Sequence, residues 1–273
     1  MARTDALSIY INNNTADKLA ETYGKVIEAV QKGAISEQIK NKNYSGDPST
    51  GSVEIDRFKN ATVNNLGTAR TGGAGDKLKN TGKVTVNVDT DKEIVEEIAK
   101  KDIKLYGVDG MAERRKDNHI KRMIAYLDNQ FFATAETEGT GVDLSSLTTI
   151  QEKLEALIQS VETTVNDWVD GVDRDMLVVT VKPSIYGALL NYIDSVPNSI
   201  TGLKDDYFHK VRIFSNHRQT KDMICMIDGA VAQPVVTDEY DAEKIPLSND
   251  IALELFFSKG TKAVMPDLIK FEA

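Results

Sequence analysis

The sequence predicts an α+β fold, with helices through the first two thirds of the chain and strands gathered at its end. Three observations carry this. Val108–Ala135 (VDGMAERRKDNHIKRMIAYLDNQFFATA) sets Ile120, Met123, Ile124, Leu127 and Phe131 at i, i+3, i+4, i+7 and i+11, the apolar stripe of one long helix. No Pro or Gly interrupts Met111–Ala135, about 38 Å at the α-helical rise. Ser52–Phe58 and Lys83–Val88 alternate apolar and polar residues as two strands, yet 24 glycine-rich residues separate them. From Met176 onward the pattern changes to short β-branched runs.

Residues Met1–Asn14 read as irregular. Thr15 caps a helix over Ala16–Lys32, whose face is Ala16, Leu19, Ala20, Tyr23, Val26, Ile27 and Val30, and Gly33 closes it. Ala34–Ser52 is polar and turn-rich. Lys59–Gly82 is too long for a compact connection, which favours an extended hairpin arm over a buried loop; a lone two-stranded ribbon is marginal in water, so such an arm needs a surface to lie on. Thr90-Asp-Lys-Glu93 has the form of a capping box and predicts a short helix through Lys100 with Ile94, Val95 and Ile98 inside. The long helix ends at a flexible break, residues 138–141 (EGTG). Thr148–Trp168 is amphipathic (Ile150, Leu154, Leu157, Ile158, Val161, Val165, Trp168), with Gln151 completing a second capping box from Thr148. Met176–Val181 is a buried strand, and Pro183 starts a helix carrying Ile185, Tyr186, Leu189, Leu190 and Ile193. Val196–Phe208 is loop. Val211–Phe214, Met223–Ile227 and Ala230–Val236 are short strands. Ile251–Phe257 and Lys262–Met265 pair around Ser258-Lys259-Gly260, and Leu268–Phe271 closes the chain.

Charge is unevenly placed. The 273 residues carry a net −9, which argues against a generic nucleic-acid-binding surface. Arg57–Lys83 nevertheless holds six bases (Arg57, Lys59, Arg70, Lys77, Lys79, Lys83) against Asp76, a net +5, while Glu136–Asp175 holds ten acids against Lys153 and Arg174, a net −8. A basic arm and an acidic face in one chain suit head-to-tail contact between copies; simple solvation of both is the plainer reading. No apolar run is long enough for a membrane span, and the start lacks a signal-peptide core, so no membrane association is expected. Cys225, the lone cysteine, sits in an apolar run and reads as a buried thiol in a reducing compartment.

Catalytic chemistry has no foothold. Gly72-Gly73-Ala74-Gly75-Asp76-Lys77 lacks GxxxxGK[ST] and a following helix. His119, His209 and His217 are scattered, so no metal site is expected, and His119 reads as solvated or interfacial. Asp205-Asp206 and Asp238-Glu239 are loop acids of the solvated kind. No nucleophile–base pair can be placed, and no cofactor is expected. Arg114, Arg115, Lys116, Lys121 and Arg122 could meet phosphate, but Glu113 and Asp117 stand beside them as ion-pair partners.

The order of elements resembles the major capsid proteins of tailed bacteriophages, which share the Hong Kong 97 phage fold, over nearly the whole chain. Ser52–Val88 resembles that family's extended E-loop and Val108–Ala135 its spine helix, with EGTGVD (138–143) as the turn that follows. Thr148–Trp168 and then MLVVTVKPSIYGALL resemble the axial-domain helix, strand and helix. VRIFSN, MICMIDGAVAQPVV and ALELFFSKGTKAVMPDLIKF resemble the later axial and closing peripheral strands. The resemblance implies an N-terminal arm with an amphipathic helix (1–50), an E-loop hairpin (51–90), a peripheral domain with spine helix (91–145), an axial domain (146–240) and closing peripheral strands (241–273). It implies a non-enzymatic shell protein that assembles with copies of itself as hexamers and pentamers in the bacterial host cytoplasm and ends in the virion. Its partners would be a separate scaffolding protein, a portal and packaged double-stranded DNA held without sequence specificity. Lys77 and Lys79 stand where some relatives carry a cross-linking lysine, though no cross-link is expected here. Arg70, Lys77, Lys79, Glu113, Arg114, Arg115 and Lys116 are the candidate contacts between subunits. A cellular nanocompartment of the encapsulin type is the alternative within the fold; an enzyme or ligand-binding protein of unrelated α+β fold is the alternative outside it.

Overall fold

The computed structural model describes residues 13–66, 82–195, 207–238, 241–246, 248 and 250–273. Two helices open it, α1 (Asn13–Gly33) and α2 (Ile35–Ile39). A hairpin follows, β1 (Ser52–Arg57) antiparallel to β2 (Gly82–Asn87) with Ser52 opposite Asn87 and Arg57 opposite Gly82. The chain continues through β3 (Thr90–Ile98) into α3 (Lys100–Glu138), then β4 (Thr140–Val142) and α4 (Ile150–Glu162). Next come β5 (Leu177–Val181), α5 (Pro183–Ser195), β6 (Tyr207–Phe208), β7 (Val211–Ser215) and β8 (Met223–Ile227). Six short or edge elements close it: β9 (Val231–Ala232), β10 (Val235–Thr237), β11 (Asp241–Lys244), β12 (Ile251–Lys259), β13 (Lys262–Ala263) and β14 (Ile269–Glu272).

The long helix α3 belongs to two layers. Its first part buries Ile103, Val108, Ala112, Met123 and Leu127 against α1 and against Ile251, Leu253, Leu255 and Phe257 of β12. Its last turns bury Phe131, Phe132 and Ala135 in a second core with α4 and a six-stranded sheet ordered β4-β14-β8-β5-β7-β6. The strand β5 (LVVTV) is wholly buried at the middle of that sheet, parallel to β7 and antiparallel to β8, which explains its unbroken apolar run. A small third core joins Val53, Ile55 and Val86 of the hairpin to Ala232 and Val264. The buried carboxylate of Asp128 ties these layers at mid-helix. It accepts hydrogen bonds from the Ser36 backbone N–H (2.9 Å) and hydroxyl (2.8 Å), and the Arg218 guanidinium reaches it at 2.8 Å. Cys225 is buried as expected, and burial pushes its thiol well up from the ordinary range.

Several expectations are overturned. Thr90–Ile98 is a strand, not a capped helix. It pairs antiparallel with β12 over nine residues, with Ile94, Glu96 and Ile98 turned inward and Val95 out. A local cap is worth about 1 kcal/mol, and a full ladder with side chains seated on a core outweighs it. The long helix begins earlier than the stripe indicates, at Lys100, but breaks at Gly107 (φ 73°, ψ 169°), one residue before the expected start. Residues 138–141 are no flexible break: β4 lies parallel to β14, and Gly139 is wedged against Ala135 and Ile269. The fourth helix is capped by Thr149 with Glu152, not by Thr148 with Gln151, and stops at Glu162. Ala34–Ser52 holds the buried turn of α2, because Ser36 is drawn to Asp128. The segments after Ser258 do not form one hairpin: β12 takes β3, β10 and β11, while β13 pairs with β9. Ala230–Val236 is split between two sheets. His119 is fully buried and not solvated.

Candidate assembly interface

A hairpin that leaves the body must be held where it leaves. At its root, the Arg57 guanidinium meets the Asp267 carboxylate at 2.6 Å, and Lys59 Nζ meets Asp167 at 2.7 Å. Between these pairs lies the indole of Trp168. Both cations sit over its ring, Arg57 at 5.2 Å and Lys59 at 5.3 Å from the centroid. The returning strand touches the other part of the ring: a Cβ on Gly82 would fall 2.8 Å from Trp168 Cη2, so only glycine lets the backbone lie there. The backbone N–H of Asn60 donates to the Asp167 carbonyl at 2.9 Å.

The loop that presents Trp168 is built on Asn166. Its side-chain oxygen accepts from the N–H groups of Trp168 (2.8 Å) and Val169 (3.0 Å), and its amide donates to Asp267 at 2.6 Å. Gly171 turns the chain back at φ 79°. Asp267 is held below the usual carboxylate range by Arg57 and Asn166, against the opposing pull of burial. The sequence reading gave Trp168 to a helix face and missed this joint. The signal was the Asp170-Gly171 turn dipeptide, which ends a helix rather than continuing one.

Beyond the joint the outgoing limb runs without regular structure to Leu66, and Val63 and Leu66 are fully exposed. Lys83 is bridged to Glu54 at 2.7 Å. Three of the arm's six bases (Arg57, Lys59, Lys83) therefore have acid partners inside their own chain. The other three, Arg70, Lys77 and Lys79, lie outside the described residues.

The remaining candidate contacts on α3 turn three ways. Glu113 accepts from the Thr22 hydroxyl of α1 at 3.3 Å and pairs with Lys116. Arg114 lies over the Tyr106 ring at 3.7 Å. Arg115 forks onto Glu96 of β3, with its Nε at 2.6 Å, and His119 Nε2 reaches the same carboxylate at 3.2 Å. Arg115 holds Glu96 below the usual carboxylate range, while burial depresses His119. Among the described residues no group of three His, Cys, Asp or Glu is placed to hold a metal, and no helix is long and apolar enough to cross a membrane.

Neither a family model nor a curated protein sequence matches this chain. Solved structures match it in fold. A protein of Mycobacterium phage Che8 superposes with a TM-score of 0.64 at 15% identity, covering 88% of this chain and 90% of its own. The capsid of cyanophage P-SCSP1u gives 0.62 at 12% identity, covering 88% of each chain. A virus-like particle from Pyrococcus furiosus gives 0.57 at 14% identity, covering 94% of this chain and 98% of its own. The chain has the Hong Kong 97-type fold of phage capsid proteins, mixed helix and sheet over nearly its full length.

Proposed function

We propose that this chain is the major capsid protein of a tailed bacteriophage, and that its copies assemble into the icosahedral shell around the double-stranded DNA genome. The observation that carries the reading is the fold likeness across 88% of the chain together with an arm anchored at its root and otherwise unsupported. A ribbon of this kind is stable only against another surface, and a shell supplies one at every subunit. In this reading residues 1–50 are the N-terminal arm, 51–90 the E-loop, 91–145 the peripheral domain, 146–240 the axial domain and 241–273 the closing peripheral strands. Arg70, Lys77 and Lys79 meet neighbouring subunits, with Glu113, Arg114, Arg115 and Lys116 at or near the same contacts.

The subunits gather as hexamers and pentamers in the host cytoplasm, guided by a separate scaffolding protein and a portal, and end in the virion. The net charge of −9 keeps packaged DNA from adhering to the wall. The role asks for no catalysis and no cofactor. Electron microscopy of the purified protein, alone and co-expressed with its neighbouring genes, is expected to show capsomers or closed shells. A chain that stays monomeric under every condition overturns the reading.

The second reading is a cellular compartment shell around an enzyme cargo. The Pyrococcus furiosus particle favours it by coverage, while the phage proteins superpose with higher TM-scores. The contents of purified native shells separate the two: DNA in one case, a protein cargo in the other.

A further inference from the structure

The strand β3 is paired on one side only. All nine of its residues face β12, and among the described residues no strand lies along its other edge. An open edge of that length presents a row of backbone donors and acceptors to any extended chain that fits. Beside it, between the edge and α3, runs a groove of about 320 Å³ floored by Ile94, Met123, Ala125, Tyr126 and Phe257. The edge carries four acids, Asp91, Glu93, Glu96 and Glu97, against Lys92. Two such edges repel each other, and a basic strand is attracted.

We propose that this edge and groove take the outgoing limb of a second copy's arm, residues Phe58–Leu66, as an added strand. The limb is as long as β3, nine residues, and has no regular structure in its own subunit. Val63 and Leu66 stand on opposite faces of an extended chain. With Val63 lowered into the groove over Ala125, Leu66 covers the other face of the sheet, where Val95 is 43% exposed. The charges agree. Arg57 and Lys59 stay with Asp267 and Asp167 at the root, and the bases farther out, Arg70, Lys77 and Lys79, bring positive charge to the exposed Glu93 and Glu97.

The proposal rests on the shell reading, and its test separates the two. Val63→Cys and Ala125→Cys are placed on one chain, the protein is assembled, and mild oxidant is added. Cys225 does not compete, since it is buried. Non-reducing gels are expected to show a ladder of linked subunits, ~10-fold above a Val63→Cys/Gln159→Cys control, because docking raises the local thiol concentration. Shells with no excess linkage overturn the docking and leave the shell reading standing; no shells from the wild-type chain overturn both. Hydrogen exchange on the wild type is the second measurement: β3 amides are expected to slow on assembly, and unchanged exchange there overturns the proposal without any substitution.

Discussion

His119 shows how much one side chain's surroundings decide. On the helix surface it would titrate as an ordinary imidazole. Buried between α3 and β3, it faces Glu96 and Arg115, and desolvation lowers its pKa below 6.5 despite the carboxylate. Above about 6.5 both folded and unfolded chains hold the ring neutral. Below it the unfolded chain binds a proton that the folded chain refuses, so stability falls with pH until the buried ring is itself protonated. Glu96, held low by Arg115, contributes its own loss only below 4.5. His119→Gln is therefore expected to flatten the fall in melting temperature between pH 6.5 and 4.5 relative to wild type. A variant with the wild-type slope in that window would assign the acid sensitivity elsewhere.

At the scale of elements, close contacts rather than propensities fix the ends. The helix α3 stops at Gly139 because a Cβ there would lie 2.6 Å from the Ala135 carbonyl and 2.8 Å from Ile269 Cγ2. Gly139→Ala is expected to destabilise the fold by about 1–3 kcal/mol by forcing β4 away from β14. Gly24→Ala, inside α1 with open space around it, is expected to add up to about 1 kcal/mol. Denaturation midpoints of both variants check the contrast.

The same distinction explains what the sequence made legible. The stripe from Ile120 to Phe131, the all-apolar β5, Pro183 at a helix start and the hairpin ladder are local patterns, and each stands in the structure. What local patterns cannot hold was read wrongly. Thr90-Asp-Lys-Glu93 has the letters of a cap, but β12, more than 150 residues later, makes it a strand. Trp168 has helical spacing from Val161 and Val165, yet Asn166 and the Asp170-Gly171 turn carry it to the arm. The arm root depends on Asp267, distant in sequence from both Arg57 and Asn166, and no spacing rule connects the three.

For the molecule as a whole, the division of charge within the arm has a testable meaning. Its inner bases are committed to the subunit itself; its outer bases, Arg70, Lys77 and Lys79, are the ones left for a neighbour. Changing all three to Glu is expected to block particle formation while leaving the subunit's circular dichroism and melting temperature as in the wild type. Wild-type particles should also loosen as salt rises, since contacts of this type are screened over about 10 Å at 0.1 M. Normal particles from the triple variant would make the charge division incidental.

Trp168 is the chain's one tryptophan, and it stands at the pivot of the arm under two cations. The subunit thus carries its own optical gauge. Any swing of the arm moves Arg57, Lys59 and the Gly82 backbone relative to the indole and must change its emission colour and quenching. The motion of each arm during assembly can be followed by fluorescence in unlabelled protein, with no dye added and no residue replaced.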